Sequence, residues 1–96
     1  MISVVTTVRI QDGKTRDFEQ LFVRMAAKVK ANEPGVLVYQ LTRSRTEPGV
    51  YKMIEFYRDQ AAFEAHAAAD YFQASLVDLA GLVAGEPVVE FLDPVE

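Results

Sequence analysis

The sequence predicts an α+β fold in which one antiparallel sheet carries helices on one face, and three observations support this. Four short runs, 2–10, 36–42, 50–57 and 86–92, alternate in the manner of strands and are rich in β-branched or aromatic residues. Between the first and second runs, and again between the third and fourth, apolar residues recur at spacings of three and four, as in helices with one buried stripe. The second and third runs are separated only by a polar loop, 43–49, of hairpin length. The resulting order, β-α-β, hairpin, β-α-α-β, makes two similar halves, the split βαβ arrangement.

The first strand sets Ile2, Val4, Thr6, Val8 and Ile10 on a buried face and Ser3, Val5, Thr7 and Arg9 on the other. Asp12-Gly13 supplies a turn with a capping side chain, and Phe18, Leu21, Phe22, Met25 and Val29 then mark a helix of four to five turns. Asn32-Glu33-Pro34-Gly35 ends it, because proline disfavours helical geometry in the residue before it and glycine accepts a reversal of direction. The strand 36–42 places Leu37, Tyr39 and Leu41 on one face and Val36, Val38, Gln40 and Thr42 on the other, so both faces are expected to be covered.

The strand 50–57 collects Tyr51, Met53, Glu55 and Tyr57 on one side, which puts a carboxylate among aromatics. Asp59 is positioned to cap a helix whose Phe63, His66 and Ala67 share a face. A second helical stretch, 70–84, carries Phe72, Leu76, Leu79, Ala80 and Val83, with Gly85 as its expected C-terminal cap. The last strand, 86–92, tolerates Pro87 near its start, where a missing amide donor matters least. Helices from so short a chain cover only one face of the sheet, and the other face, rich in valine, calls for a second protomer packed against it.

Composition narrows the classes of function. Half the residues are hydrophobic and a quarter charged, which suits a single folded domain over 1–96. A net charge of −4 leaves no electrostatic footprint for nucleic acid, and the basic residues of the first half, Lys14 to Lys30, interleave with apolar positions as on a solvated helix face. The absence of cysteine excludes disulfides and thiolate chemistry and fits a cytoplasmic location. No apolar stretch is long enough to span a bilayer, and no basic region leads an apolar one at the N-terminus, so no membrane partner is expected. With one histidine and scattered carboxylates there is no metal-ligand spacing, and no glycine-rich phosphate or dinucleotide fingerprint occurs.

What remains is a candidate site built from side chains. His66, the only histidine, is suited to acid–base work near neutral pH, or else it is a core histidine tied to a neighbour. Glu55 either polarises His66, acts as a base raised by apolar surroundings, or anchors a backbone amide. Tyr39, Tyr51, Phe22, Phe63 and Phe72 either line a cavity for a flat apolar substrate or fill the core.

The residues Glu33-Pro34-Gly35-x-x-x-Tyr39, Glu55-x-Tyr57-x-Asp59, Ala62-x-x-x-His66 and Phe72 resemble, over nearly the whole chain, the antibiotic biosynthesis monooxygenase (ABM) domain family. The resemblance implies a ferredoxin-like βαββαβ protomer and a homodimeric α+β barrel. It also implies pocket roles for Glu55 on the strand and His66 on the helix. The family includes cofactor-independent oxygenases of aromatic polyketides and quinols, haem-degrading enzymes and an isomerase of a phosphorylated signal. Two departures are visible: Tyr57 where many members have tryptophan, and Tyr71 where many have histidine. The stretch 73–82 lacks the haem-ligating histidine of the degrading branch. The expectation is therefore a monooxygenase of small aromatics with no bound cofactor. The alternatives are an isomerase in which Arg43 and Arg45 meet a substrate phosphate, and a non-catalytic dimeric binding module.

Overall fold

The structure, a computed structural model, describes residues 1–95. The chain runs β1 (Ile2–Arg9), α1 (Thr15–Asn32), β2 (Val36–Arg43), β3 (Val50–Tyr57), α2 (Gln60–Ala68), α3 (Asp70–Ala80) and β4 (Val88–Leu92). The strands form one antiparallel sheet in the order β2-β3-β1-β4, which is the ferredoxin-like arrangement with its second helix broken at Ala69. No helix among the described residues is long and apolar enough to cross a membrane.

The alternation read in β1 and β3 matches the burial except at Ser3 and Val50, which belong to the opposite face and are buried as well. Val4, Val8, Tyr51, Met53, Glu55 and Tyr57 are all buried under the helices, while Lys52 is exposed. From α1, Phe18, Phe22, Met25 and Val29 close over them.

Four local expectations are corrected. Asp12 does not cap α1; the N-cap position is Lys14, with no side-chain bond, and Gly13 supplies the turn at φ +80°. The register of β2 slips between Val36 and Val38, which oppose Tyr57 and Phe56 in turn, leaving Leu37 without a cross-strand partner. That extra residue brings Val36 to the helix side with Tyr39, and leaves Leu37 and Val38 exposed on the protomer, not covered. The third helix stops at Ala80, with Gly81 at its C-cap, and not near Ala84; Gly85, at φ +111°, caps nothing. The competing interaction is tertiary: the end of β1 takes the backbone of 82–84, with Gln11 N donating to Leu82 O at 2.9 Å and Ala84 N to Arg9 O at 2.7 Å, while Leu82 and Val83 pack on Val8 and Ile10.

The joint that positions α2 is at Pro34-Gly35. Asp59 caps α2 by accepting from Ala62 N at 2.9 Å, and Arg58 N donates to Gly35 O at 2.8 Å. Ala62 then lies against Gly35 so closely that a Cβ on Gly35 would stand 2.7 Å from the Ala62 Cβ. Both atoms belong to packed backbone segments, so Gly35→Ala is expected to destabilise the protein by about 1–3 kcal/mol through overpacking, read as a lower urea midpoint at unchanged slope. An unaltered midpoint would show that α2 can move away freely.

Candidate active site

His66 sits on α2 one turn after Ala62, on the same face, and is only 2% exposed. The Gly35–Ala62 contact therefore carries it to the C-terminal end of α1. There its Nδ1 meets the carboxylate of Glu33, at 3.1 Å from Oε1 and 3.2 Å from Oε2. Glu33 is itself the C-cap of α1, its amide bonded to Val29 O at 2.8 Å, so a helix end and a Pro-Gly turn hold the carboxylate. Tyr71, at the start of α3, donates its hydroxyl to Glu33 Oε2, and burial with the adjacent Glu33 bond pushes that phenol up to about 12.

The carboxylate fixes the proton on Nδ1 and leaves Nε2 as the acceptor of the ring. Nε2 meets the Tyr39 hydroxyl at 3.5 Å, the outer limit of hydrogen bonding. Burial, then the charges of Glu55 and Glu33, push the Tyr39 phenol well above its usual range, so it stays a donor. Nε2 is thus weakly occupied and free for a stronger partner.

Beside His66 opens a cavity of about 310 Å³ between sheet and helices. Val4, Val8 and Met53 form its floor, and Phe18, Phe22 and Met25 of α1 form one wall. Phe63, Phe72 and Leu76 of α2 and α3 form another, with Pro87, Val89 and Phe91 at the rim. Its ionisable lining groups are His66, Glu55 and Tyr57. No lysine or arginine lines it, and among the described residues no cluster of histidine and carboxylate side chains could hold a metal ion.

Glu55 and His66 reach this cavity from strand and helix, yet they are not bonded to each other. Glu55 Oε1 accepts the Tyr57 hydroxyl instead. Burial raises the Glu55 carboxyl from 4.5 to about 7, with the Tyr57 bond opposing, and pushes the Tyr57 phenol well up. Of the aromatic residues singled out from the sequence, Phe22, Phe63 and Phe72 line the cavity, Phe72 with its ring 4.5 Å from that of His66. Tyr39 stands behind the lining, stacked on Phe22 at 5.3 Å. Tyr51 lies outside it, packed on Phe18 with its hydroxyl on Glu19, so its face of β3 is right but its position along the strand is a full pair too early.

The partner of His66 that the sequence reading missed is Glu33, which enters there as part of the helix terminator and of the family motif but with no role at the site. The available signal was that a buried histidine needs a polar partner, and Glu33 is held rigidly by its Pro-Gly neighbours.

Comparison with known proteins bears on this geometry. The profile of the antibiotic biosynthesis monooxygenase family matches residues 1–76. The chain belongs to that family. Among solved structures, a candidate antibiotic biosynthesis monooxygenase from Caulobacter crescentus is 53% identical with a TM-score of 0.96, the match covering 99% of this chain and 90% of that one. A Shewanella oneidensis protein is 28% identical with a TM-score of 0.86, covering 95% and 87%. A Deinococcus radiodurans ABM candidate, at 21% identity and a TM-score of 0.90 over 100% and 94% of the two chains, shares the fold. No match was found among curated proteins.

The Glu55 environment makes a stability prediction. The folded-state value, about 7, lies above the unfolded 4.5, so folding takes up a proton between them. Stability is then full below the unfolded value and is lost as pH rises through about 7. Relative to Glu55→Gln, which cannot ionise, the wild type is expected to lose about 2 kcal/mol of unfolding free energy between roughly pH 5 and pH 8. Parallel pH profiles in urea denaturation would show that Glu55 ionises without penalty.

Proposed function

We propose that this ABM-family protein is a cofactor-independent monooxygenase of small neutral aromatics, such as quinols or polyketide-like phenols. The observation that supports the reading is the buried Glu33–His66 pair beside an apolar cavity that His66 lines. A hydroxyl on a fused ring, placed at Nε2, gives its proton to His66, and Glu33 stabilises the imidazolium that forms. The aromatic anion left behind is electron-rich at the ring-conjugated carbon. One electron passes to O₂, the radical pair closes a carbon–oxygen bond, and the peroxide takes back the proton held by His66. Loss of water, with the carbon's remaining hydrogen leaving as a proton, completes HO–Ar–H + O₂ → O=Ar=O + H₂O, the product being a quinone. The dry lining keeps the anion away from water while this occurs.

Two other readings fare worse on the same geometry. A phosphorylated isomerase substrate needs a cation, but the cavity has none, and Arg43 is largely exposed and paired with Glu19 at 3.3 Å. A binding module with its pocket filled by side chains does not fit a cavity of about 310 Å³ beside His66.

Oxygen uptake with a panel of anthrone-type and quinol substrates tests the function. His66→Ala is expected to lower the rate at least 10²-fold and Glu33→Gln to lower it less, mainly through kcat, since the glutamine no longer stabilises the imidazolium. If the wild type consumes oxygen no faster than the substrate does alone, the monooxygenase reading fails.

The assembly proposed with it is a homodimer through the open sheet face. Val5, Ile54 and Phe56 sit half-buried in the middle of that face, and Leu37, Val38, Val88 and Leu92 surround them exposed, an apolar patch of the kind that marks an interface. Light scattering is expected to give a dimer for the wild type and a monomer for Ile54→Glu. A wild-type monomer at micromolar concentration would remove this assembly.

A further inference from the structure

The second polar group of the cavity has no role in the chemistry described above. Glu55 is 6% exposed, and its Oε1 takes the Tyr57 hydroxyl. Its Oε2 makes no hydrogen bond with any described residue, yet among the described residues no fully buried side-chain oxygen or nitrogen lacks a partner. Oε2 is therefore open to the cavity that Glu55 lines. The groups that face Glu55 from its neighbours are Val4 on β1, Tyr39 on β2, Tyr57 on its own strand and His66 on α2, and none is a lysine or arginine. A carboxylate in such a place has one donor for two oxygens and no permanent cation, whereas the neutral acid places its own O–H where the cavity is empty.

We propose that Glu55 works as a neutral carboxylic acid that donates from Oε2 to an acceptor oxygen, a carbonyl or an ether, of an uncharged substrate. The inference rests on the site binding an aromatic substrate, as the proposed function has it, but it does not require that oxygen be activated there. The cavity, about 310 Å³, lies at the small end of the range for ligand pockets, which suits two or three fused rings. Phosphate or carboxylate groups on the substrate are disfavoured, because no cation meets them and a buried anion without a partner is costly. The donor also has a use in the reaction class. A hydrogen bond to a carbonyl conjugated with the deprotonated ring draws charge towards that oxygen and stabilises the anion.

The test uses 1-tetralone and tetralin, two non-titrating bicyclic ligands that differ by one carbonyl, with dissociation constants measured on the full chain at roughly pH 6 and pH 8.5. The wild type is expected to prefer the ketone about tenfold at the lower pH, the worth of one good hydrogen bond, and to lose most of that preference as pH passes about 7. Glu55→Gln, whose amide N–H copies the neutral acid, is expected to keep the preference at both pH values. Glu55→Leu is expected to abolish it. A wild-type preference that does not change with pH, or one that survives in Glu55→Leu, overturns the assignment. Neither ligand is turned over, so the result stands apart from oxygen uptake and from the fate of the monooxygenase reading.

Discussion

The contact between Gly35 and Ala62 is the constraint on which the site depends. It is a steric fact before it is a chemical one: with no side chain on Gly35, α2 approaches the β2 end of the sheet to within a distance that a Cβ would forbid. Everything downstream follows from helix geometry. A residue one turn beyond Ala62 on the same face is His66, and the residue two before Gly35 is Glu33, so the same contact that seats the helix brings imidazole and carboxylate together. Helix packing and the side-chain pair share one joint, and for that reason a glycine that does not line the cavity is part of how the candidate site is assembled.

The Glu33–His66 pair illustrates why a buried polar group is seldom an isolated feature. Side chains of both residues are nearly removed from solvent, at 11% and 3% exposure. Each needs its polar atoms satisfied, and the partners are supplied by three different elements: α1 provides Glu33, α2 provides His66 and α3 provides Tyr71. The break at Ala69 is what lets this happen. A continuous helix from 60 to 80 would carry Tyr71 away along the axis of α2, whereas the turn at Ala69 swings it back so that its hydroxyl reaches the same carboxylate.

Much of this was legible in the sequence and some was not, for physical reasons that differ from residue to residue. Strict alternation exposed the buried face of β3, because a strand's two-residue period leaves no freedom about which side chains share a face. It failed in β2, where the slip at Leu37 moves Val36 to the helix side, since an inserted residue is invisible to a pattern of hydrophobicity. The stripe of α3 continued past Ala80 in the sequence, but the end of β1 needed hydrogen-bond partners that only the backbone of 82–84 could supply. His66 and Glu55 were accessible as lone polar residues on apolar faces. Glu33 was not, because its partnership spans 33 positions and depends on the Gly35 contact, which no local periodicity encodes. Tyr51 shows the opposite limit: the face was correct, but position along the strand decides which cluster a side chain joins.

The two carboxylates near the cavity are set apart by their surroundings more than by their type. Glu33 is bonded by an imidazole and a phenol and sits behind His66. Glu55 is inside the cavity with a single phenol for company, and burial makes its ionised form the expensive one. Pairs of acids whose environments diverge in this way assign themselves to opposite roles, one supporting the base and the other holding a proton. In the proposed reaction the acceptor at His66 would take the proton of a substrate hydroxyl and the donor at Glu55 would stabilise the charge left on the ring, so the protein's part would be to shape the substrate's own electron distribution.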